Sequence, residues 1–221
     1  MKLLVAALAL VLSSCISINV GKPVPQAAPA LRAAQSVVKL NITATDGEGS
    51  CSGWIYMETK VITAGHCAES TLLAVTACLY PDTECDNPIP LTLVGADHVH
   101  DVAVFAFPKG FSAPGVTLNT RPLEIGDGVM AVGFPQGDFA VTIGVFSMRH
   151  AAEDLWDSVH VEWIQHSADT APGSSGGALF DTEGRLVGMT VGMVTYGRTG
   201  FGLGIAIPMD IILASVNAIL E

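Results

Sequence analysis

The chain has 221 residues, half of them hydrophobic and 14% charged, with 23 glycines and 12 prolines. That length suits one large domain or two small ones sharing an interface, and the composition favours short strands and tight turns over long charged helices. A formal net charge of −11, with no basic patch, argues against a nucleic-acid partner and permits a cationic one.

Met1-Lys2 is a short basic start, and Leu3–Leu12 is an unbroken apolar run. The run is too short for a bilayer, which takes about 20 residues, but it suits the core of a signal peptide and predicts export. It closes in Leu12-Ser13-Ser14-Cys15, which resembles the bacterial lipobox. That resemblance implies cleavage after Ser14, a lipidated Cys15 as the new N-terminus, and a membrane anchor. Ile16-Ser17 lacks the aspartate that retains such lipoproteins at the inner membrane, which implies the outer membrane in a Gram-negative host. The expected location is the cell envelope, lipid-anchored, or the secreted fraction. Ser17–Gln35 has three prolines, many alanines and no strong periodicity, and reads as a tether. The sequence thus divides into a signal peptide (1–14), a lipidated cysteine with its tether (15–35) and a folded domain (36–221).

Short β-branched runs follow: Val37–Thr43, Cys51–Met57, Val61–Thr63, Leu72–Leu79, Ile89–Val94 and Val102–Phe107. A Gly/Pro/Ser-rich stretch, Lys109–Pro122, reads as a connection between halves at about 36–108 and 123–208. The second set is Val129–Gly133, Ala140–Met148, Val159–Gln165, Ala178–Phe180, Leu186–Val194 and Gly204–Ile207. Evenly spaced short strands predict an all-β barrel or sandwich. Asp210–Leu220 has helical apolar spacing, predicting a terminal helix within 209–221 with Asp210 as its cap. Trp54, Trp156 and Trp163 read as barrel packing, and Glu153, Asp154 and Asp157 as a solvated loop.

Apart from Cys15 there are four cysteines, Cys51, Cys67, Cys78 and Cys85. An even number in an exported protein predicts two disulfides, and three pairings are open. No C-x-x-C pair or closely spaced histidine pair offers metal-ligand spacing, so no metal is expected. His98, His100, His150, His160 and His166 read as surface or strand residues.

Three segments carry chemistry. VITAGHC (Val61–Cys67) is a strand running into a turn that presents His66, and HDVAVFAF (His100–Phe107) places Asp101 before a buried-looking strand. GSSGG (Gly173–Gly177) places two serines among glycines. A serine hydroxyl is a weak nucleophile until a base takes its proton, and the base needs a third group to fix its tautomer. In a G-x-S-G-G turn the nucleophile is the serine before the glycine pair, Ser175. The amides of Gly173 and Ser175 can then serve as an oxyanion hole, with Ser174 contributing backbone and loop shape.

The same residues satisfy G-x-S-x-G, the nucleophile elbow of α/β-hydrolases, but there the histidine follows the serine, and no histidine follows His166. The order Asp–His–Ser would have to use Asp46, the only aspartate before His66, on a chain short for the subtilisin fold. His66, Asp101, Ser175 is the chymotrypsin order.

TAGHC, HDVAVF and PGSSGGALF resemble the three catalytic blocks of trypsin-like (chymotrypsin-fold) serine proteases. The last two blocks, with GFPQG (Gly133–Gly137) and GIAIP (Gly204–Pro208), also resemble the bacterial HtrA and glutamyl-endopeptidase branches. The resemblance implies two six-stranded antiparallel β-barrels with a C-terminal α-helix, acting on a protein or peptide substrate without a cofactor. It makes His66 the general base, Asp101 its orienting carboxylate and Ser175 the nucleophile. It pairs Cys51 with Cys67 behind the histidine turn, which leaves Cys78 to pair with Cys85.

Two departures stand out. Ser174 replaces the aspartate with which the animal enzymes receive a freed N-terminus, which implies constitutive competence. With the terminal helix closing the sequence, the PDZ domain of HtrA proteins is not expected. Asp169, six residues before Ser175, stands where trypsin-like enzymes carry the carboxylate that reads Arg or Lys. Glutamyl endopeptidases have a similar run without that role, and their specificity histidine is replaced here by Met189-Thr190. Basic, small and apolar preferences therefore stay open, in a pocket expected from Asp169, Thr170 and the wall Val191-Gly192-Met193. A second reading keeps the fold as a cell-envelope binding or chaperone-like module that cleaves little.

Overall fold

A computed structural model describes residues 27–156, 159–196 and 201–221. The expected signal peptide, Cys15 and Asp157 lie outside these residues, as do the side chains of Glu153, Asp154 and Trp156.

The first half is an antiparallel sheet built from β1 (Val37–Ala44), β2 (Gly47–Tyr56), β3 (Lys60–Ala64), β4 (Leu72–Leu79), β5 (Ile89–Pro90), β6 (Thr92–Asp97) and β7 (Val102–Ala106). Its order is β5-β4-β1-β2-β3-β7-β6. The seventh strand, beyond the six expected, is the two-residue β5. Pro90 cannot donate to a ladder and confines β5 to the sheet edge. The antiparallel registers set Val37 against Trp54 and Ile62 against Val104, so bulky apolar residues alternate onto a common buried face.

The second half closes into a six-stranded barrel in the order β10-β13-β12-β11-β8-β9. Its strands are β8 (Gly128–Gly133), β9 (Ala140–Trp156), β10 (Val159–His166), β11 (Ala178–Asp181), β12 (Leu186–Tyr196) and β13 (Phe201–Pro208). β9 runs on through Glu153 and Asp154, where a loop was expected, because its ladder with β10 absorbs several register shifts and continues to Trp156.

All six barrel strands contribute to a small core, with Val129, Phe146, Ile164, Leu179, Val187 and Ala206. Outward-facing Phe134, Phe180, Met189 and Ile207 join Trp54, Ile62 and Phe105 of the first half in one larger core. The connecting segment is stitched to both halves: the Val116 amide donates to Ile55 and the Asn119 amide to Leu186, each at 2.9 Å. The two halves therefore cannot move independently without breaking packing that both share.

Ala27–Gln35 forms a helix, α1, where a tether was expected as far as Gln35. Alanine is the best helix former, and burial of Ala33 and Ala34 supplies the docking that a nine-residue helix needs. At the other end α2 (Met209–Leu220) buries Met209, Ile212 and Val216. Asp210 makes no capping bond; its carboxylate instead pairs with Arg149 at 2.8 Å. Among the described residues no helix is long and apolar enough to cross a membrane.

Candidate active site

β3 delivers the chain into a single 3₁₀ turn, Gly65–Ala68, which carries His66. A side chain at Gly65 would lie 3.0 Å from Asp101 Cα and 2.9 Å from the Val102 amide, so only glycine lets the turn approach this closely. The His66 Nδ1 is 3.0 Å from both carboxylate oxygens of Asp101, and the His66 backbone amide donates to Oδ1 at 2.7 Å. Asp101 is 1% exposed while the imidazole keeps 28% of its surface, so the pair has one buried end and one end facing solvent.

Burial of the imidazole is the largest single influence on its protonation and opposes it. The hydrogen bond to Asp101, the charge of Asp101 and the charge of Glu69 together outweigh it and hold His66 above its ordinary pKa. Asp101 adopts φ +54°, a left-handed conformation that aspartate tolerates better than most residues.

The loop Gly173–Gly177 comes from the second half. Gly173 takes φ +94°, and the loop is tied by Ser174 N–H to the Ala171 carbonyl (2.9 Å) and Gly177 N–H to the Ser174 carbonyl (2.8 Å). Ser174 is buried, and its hydroxyl accepts the Ala171 amide at 3.2 Å. Ser175 is partly exposed, and its Oγ lies 3.4 Å from the Val191 carbonyl. Among the described residues the amides of Gly173 and Ser175 donate to no acceptor. The loop packs onto the histidine strand: a side chain at Gly176 would be 2.9 Å from the amide of Ala64, two residues before His66.

The two disulfides join Cys51 to Cys67 and Cys78 to Cys85. The first fastens the residue after His66 to β2. The next residue on β2, Ser52, is in turn bonded to the serine loop: its amide donates to the Ser175 carbonyl at 2.8 Å.

Asp169 is exposed, and its carbonyl accepts the Thr142 hydroxyl at 2.7 Å. Together with Ser174, Thr190, Pro135, Ala140 and Thr142 it lines a cavity of about 10 Å³, roughly one water, toward β8 and β9. Val191, Gly192, Met193 and Thr170 do not line that cavity. Among the described residues no three His, Cys, Asp or Glu side chains are grouped to hold a metal ion.

A family model described as a trypsin-like peptidase domain matches residues 51–189, most of the chain and all three motif segments. The chain belongs to the trypsin-like peptidases. Among curated proteins it is 35% identical over 127 residues to a probable periplasmic serine endoprotease, DegP-like, of Pseudomonas savastanoi, covering 57% of this chain and 26% of that one. It is 38% identical over 121 residues to the putative serine protease HhoA of Synechocystis, covering 52% and 30%. The chain thus spans between a quarter and a third of the length of these relatives. Among solved structures, an HtrA-type protease, AlgW, with a tripeptide superposes with a TM-score of 0.79 at 28% identity, covering 90% of this chain and 64% of the other. A protease of M. tuberculosis in its active form shares the fold with a TM-score of 0.74 at 23% identity, covering 86% and 83%.

Within this trypsin-like frame, three residues near the site escaped the sequence reading. Ser52 makes long-range bonds that only the fold brings together. Asp97, at the end of β6, accepts the amides of Val99 and His100, the His100 Nδ1 and the Ser215 hydroxyl of α2, all within 3.2 Å, and so shapes the turn leading to Asp101. His166 is fully buried with both ring nitrogens unpartnered among the described residues. A D-x-x-x-D spacing at Asp97 and Asp101 was the one signal available for the second; a lone histidine in a strand offers none.

Proposed function

We propose that the chain is an exported serine endopeptidase in which His66, Asp101 and Ser175 form the catalytic triad. The observation that carries this reading is the His66–Asp101 pair, held by two hydrogen bonds and buried at its carboxylate end, with the glycine loop of Ser175 anchored to the strands that carry the pair. Asp101 holds Nδ1 as the protonated nitrogen, which leaves Nε2 to take the Ser175 proton as Oγ attacks the scissile carbonyl. The amides of Gly173 and Ser175 receive the developing oxyanion, and one such donor typically lowers the barrier by about 3–4 kcal/mol. His66 then returns the proton to the leaving amine, and water repeats the sequence on the acyl-enzyme.

The raised pKa of His66 suits this role, since a more basic imidazole is a better acceptor in the first step. The relatives' names describe periplasmic endoproteases, which supports peptide bonds as substrate and the cell envelope as location. The lipobox-like Cys15 adds a lipid anchor to the proposal, and the helix α1 shortens its tether to residues 15–26.

The reading is tested by hydrolysis of an unfolded protein substrate. Wild type should cleave it and Ser175→Ala should not. Equal cleavage by both would refute the role given to Ser175, and no cleavage by either would favour the binding-module reading.

A further inference from the structure

Thr190 of β12 grips the end of the serine loop with its backbone. Its carbonyl accepts the Gly176 amide at 2.7 Å, and its amide donates to the Gly177 carbonyl at 2.8 Å. Directly paired residues project to the same side of a sheet. Thr190 is paired with Ala206 of β13, and Thr142 of β9 with Ala131 of β8. Ala131 and Ala206 belong to the small core inside the barrel, so Thr142 and Thr190 turn their side chains inward too. There they line the cavity of about 10 Å³, together with Asp169 and Ser174.

The polar groups around this cavity are unequally occupied. Thr142 donates its hydroxyl to the Asp169 carbonyl at 2.7 Å. The Ser174 oxygen accepts the Ala171 amide at 3.2 Å, which leaves its O–H to donate. Thr190 is 2% exposed, and its Oγ1 has no hydrogen-bond partner among the described residues. Buried hydroxyls are nearly always paired, and a valine would fill the same volume without the cost of an unpaired one. The cavity has room for one water, and a water held inside a protein takes two to four polar partners. The hydroxyls of Thr190 and Ser174 supply two, with Asp169 beside them.

We propose that one internal water bridges the hydroxyls of Thr190 and Ser174, and that Thr190 is a positioning residue for the oxyanion hole. The proposal rests on the serine-endopeptidase reading above. Ser174 lies between the two residues whose amides receive the oxyanion, Gly173 and Ser175. Tying its side chain into the barrel fixes the peptide planes on either side, so both N–H groups stay aimed at the scissile carbonyl. Since Thr190 already grips Gly176 and Gly177, the bridge makes one residue of β12 the template for the whole turn from Ser174 to Gly177.

The test has a structural and a kinetic arm. A high-resolution crystal structure of the protein should show one water within hydrogen-bond distance of both Thr190 Oγ1 and Ser174 Oγ. A dry cavity, or a water that does not touch both, overturns the proposal. Peptide hydrolysis is then compared for wild type, Thr190→Val, Thr190→Ser, Ser174→Ala and the double variant Thr190→Val with Ser174→Ala. Thr190→Val keeps the volume and loses the hydroxyl, so kcat should fall about tenfold with KM little changed, part of the loss that follows removal of a whole oxyanion donor. A peptide boronate, which mimics the tetrahedral intermediate, should bind more weakly by the same factor. Thr190→Ser keeps the hydroxyl and should bring kcat back to within about twofold of wild type. Both hydroxyls act through one water, so the double variant should be no slower than the slower single one. Wild-type kcat in Thr190→Val, no recovery in Thr190→Ser, or losses that multiply in the double variant would each overturn the proposal. If the variants do not fold, the wild-type crystal structure alone decides. A wild type that cleaves nothing and takes no fluorophosphonate refutes the endopeptidase reading, and the positioning role with it, even where the water is present.

Discussion

Ser52 donates its hydroxyl to the carbonyl of Gly173 at 2.7 Å, across 121 residues of sequence, and accepts the amide of Phe134 at 2.8 Å. One side chain of the first half thus fixes both the first residue of the serine loop and the segment beneath it. Removing the hydroxyl in Ser52→Ala leaves a carbonyl and a buried amide without partners, which typically costs about 1–3 kcal/mol. The expected outcome is that loss in thermal or denaturant unfolding together with about a tenfold fall in kcat, because the Gly173 amide turns away from the oxyanion. An unchanged kcat would show that the loop holds its shape without Ser52.

The Cys51–Cys67 disulfide spans 16 residues and Cys78–Cys85 spans 7, so chain entropy gives them similar worth, about 3 and about 2.5 kcal/mol. Their effects on catalysis should differ. Cys51→Ala with Cys67→Ala frees the residue after His66 and should lower both stability and kcat. Cys78→Ala with Cys85→Ala should lower stability alone. Melting curves and peptide hydrolysis on the two double variants check the contrast.

Asp97 acts on Asp101 through the turn between them. Asp97→Ala releases four donors, including the Ser215 hydroxyl that ties α2 to this turn, and the φ +54° of Asp101 is then poorly held. The expected result is a roughly tenfold loss in kcat with KM little changed, and a smaller loss in Ser215→Ala. A change confined to KM would place Asp97 in substrate binding instead.

The two perturbed histidines give opposite pH signatures. His166 has its folded pKa lowered to about 4, so the stability it contributes is complete above about pH 6.5 and is lost as pH falls toward 4, about 3 kcal/mol in all. His66 has its folded pKa raised, so its contribution is present below its ordinary pKa and lost as pH rises through the folded value. Denaturant titrations at pH 7.5 and 4.5 should show a clear loss in wild type and a smaller one in His166→Phe. In kinetics, kcat/KM should rise with pH through a value above the ordinary histidine pKa, as His66 becomes the free base.

What could be read from the residues was local. The three blocks holding His66, Asp101 and Ser175 are short, and each places its side chain at a strand end or a glycine turn, where spacing alone is informative. The terminal helix was legible for the same reason. What escaped depends on contacts between distant segments. Ser52 is an ordinary strand serine until Gly173 and Phe134 arrive beside it. His166 is an ordinary strand histidine until Gly204 opens a space for its ring. The run through Glu153 and Asp154 looked solvated because register shifts, which let β9 continue, leave no mark in composition. Ala27–Gln35 looked like a tether because the burial of Ala33 and Ala34 against the domain cannot be told from an alanine-rich linker without the partner surface.

Everything proposed for the site turns on Ser175, activated by His66, being the nucleophile. Its most direct test is reaction of the protein with a fluorophosphonate probe, followed by mass spectrometry of the peptide containing Ser174 and Ser175. One adduct is expected, on Ser175, formed by wild type and Ser174→Ala and lost in Ser175→Ala and His66→Ala. An adduct on Ser174, or labelling that survives in Ser175→Ala, would contradict it.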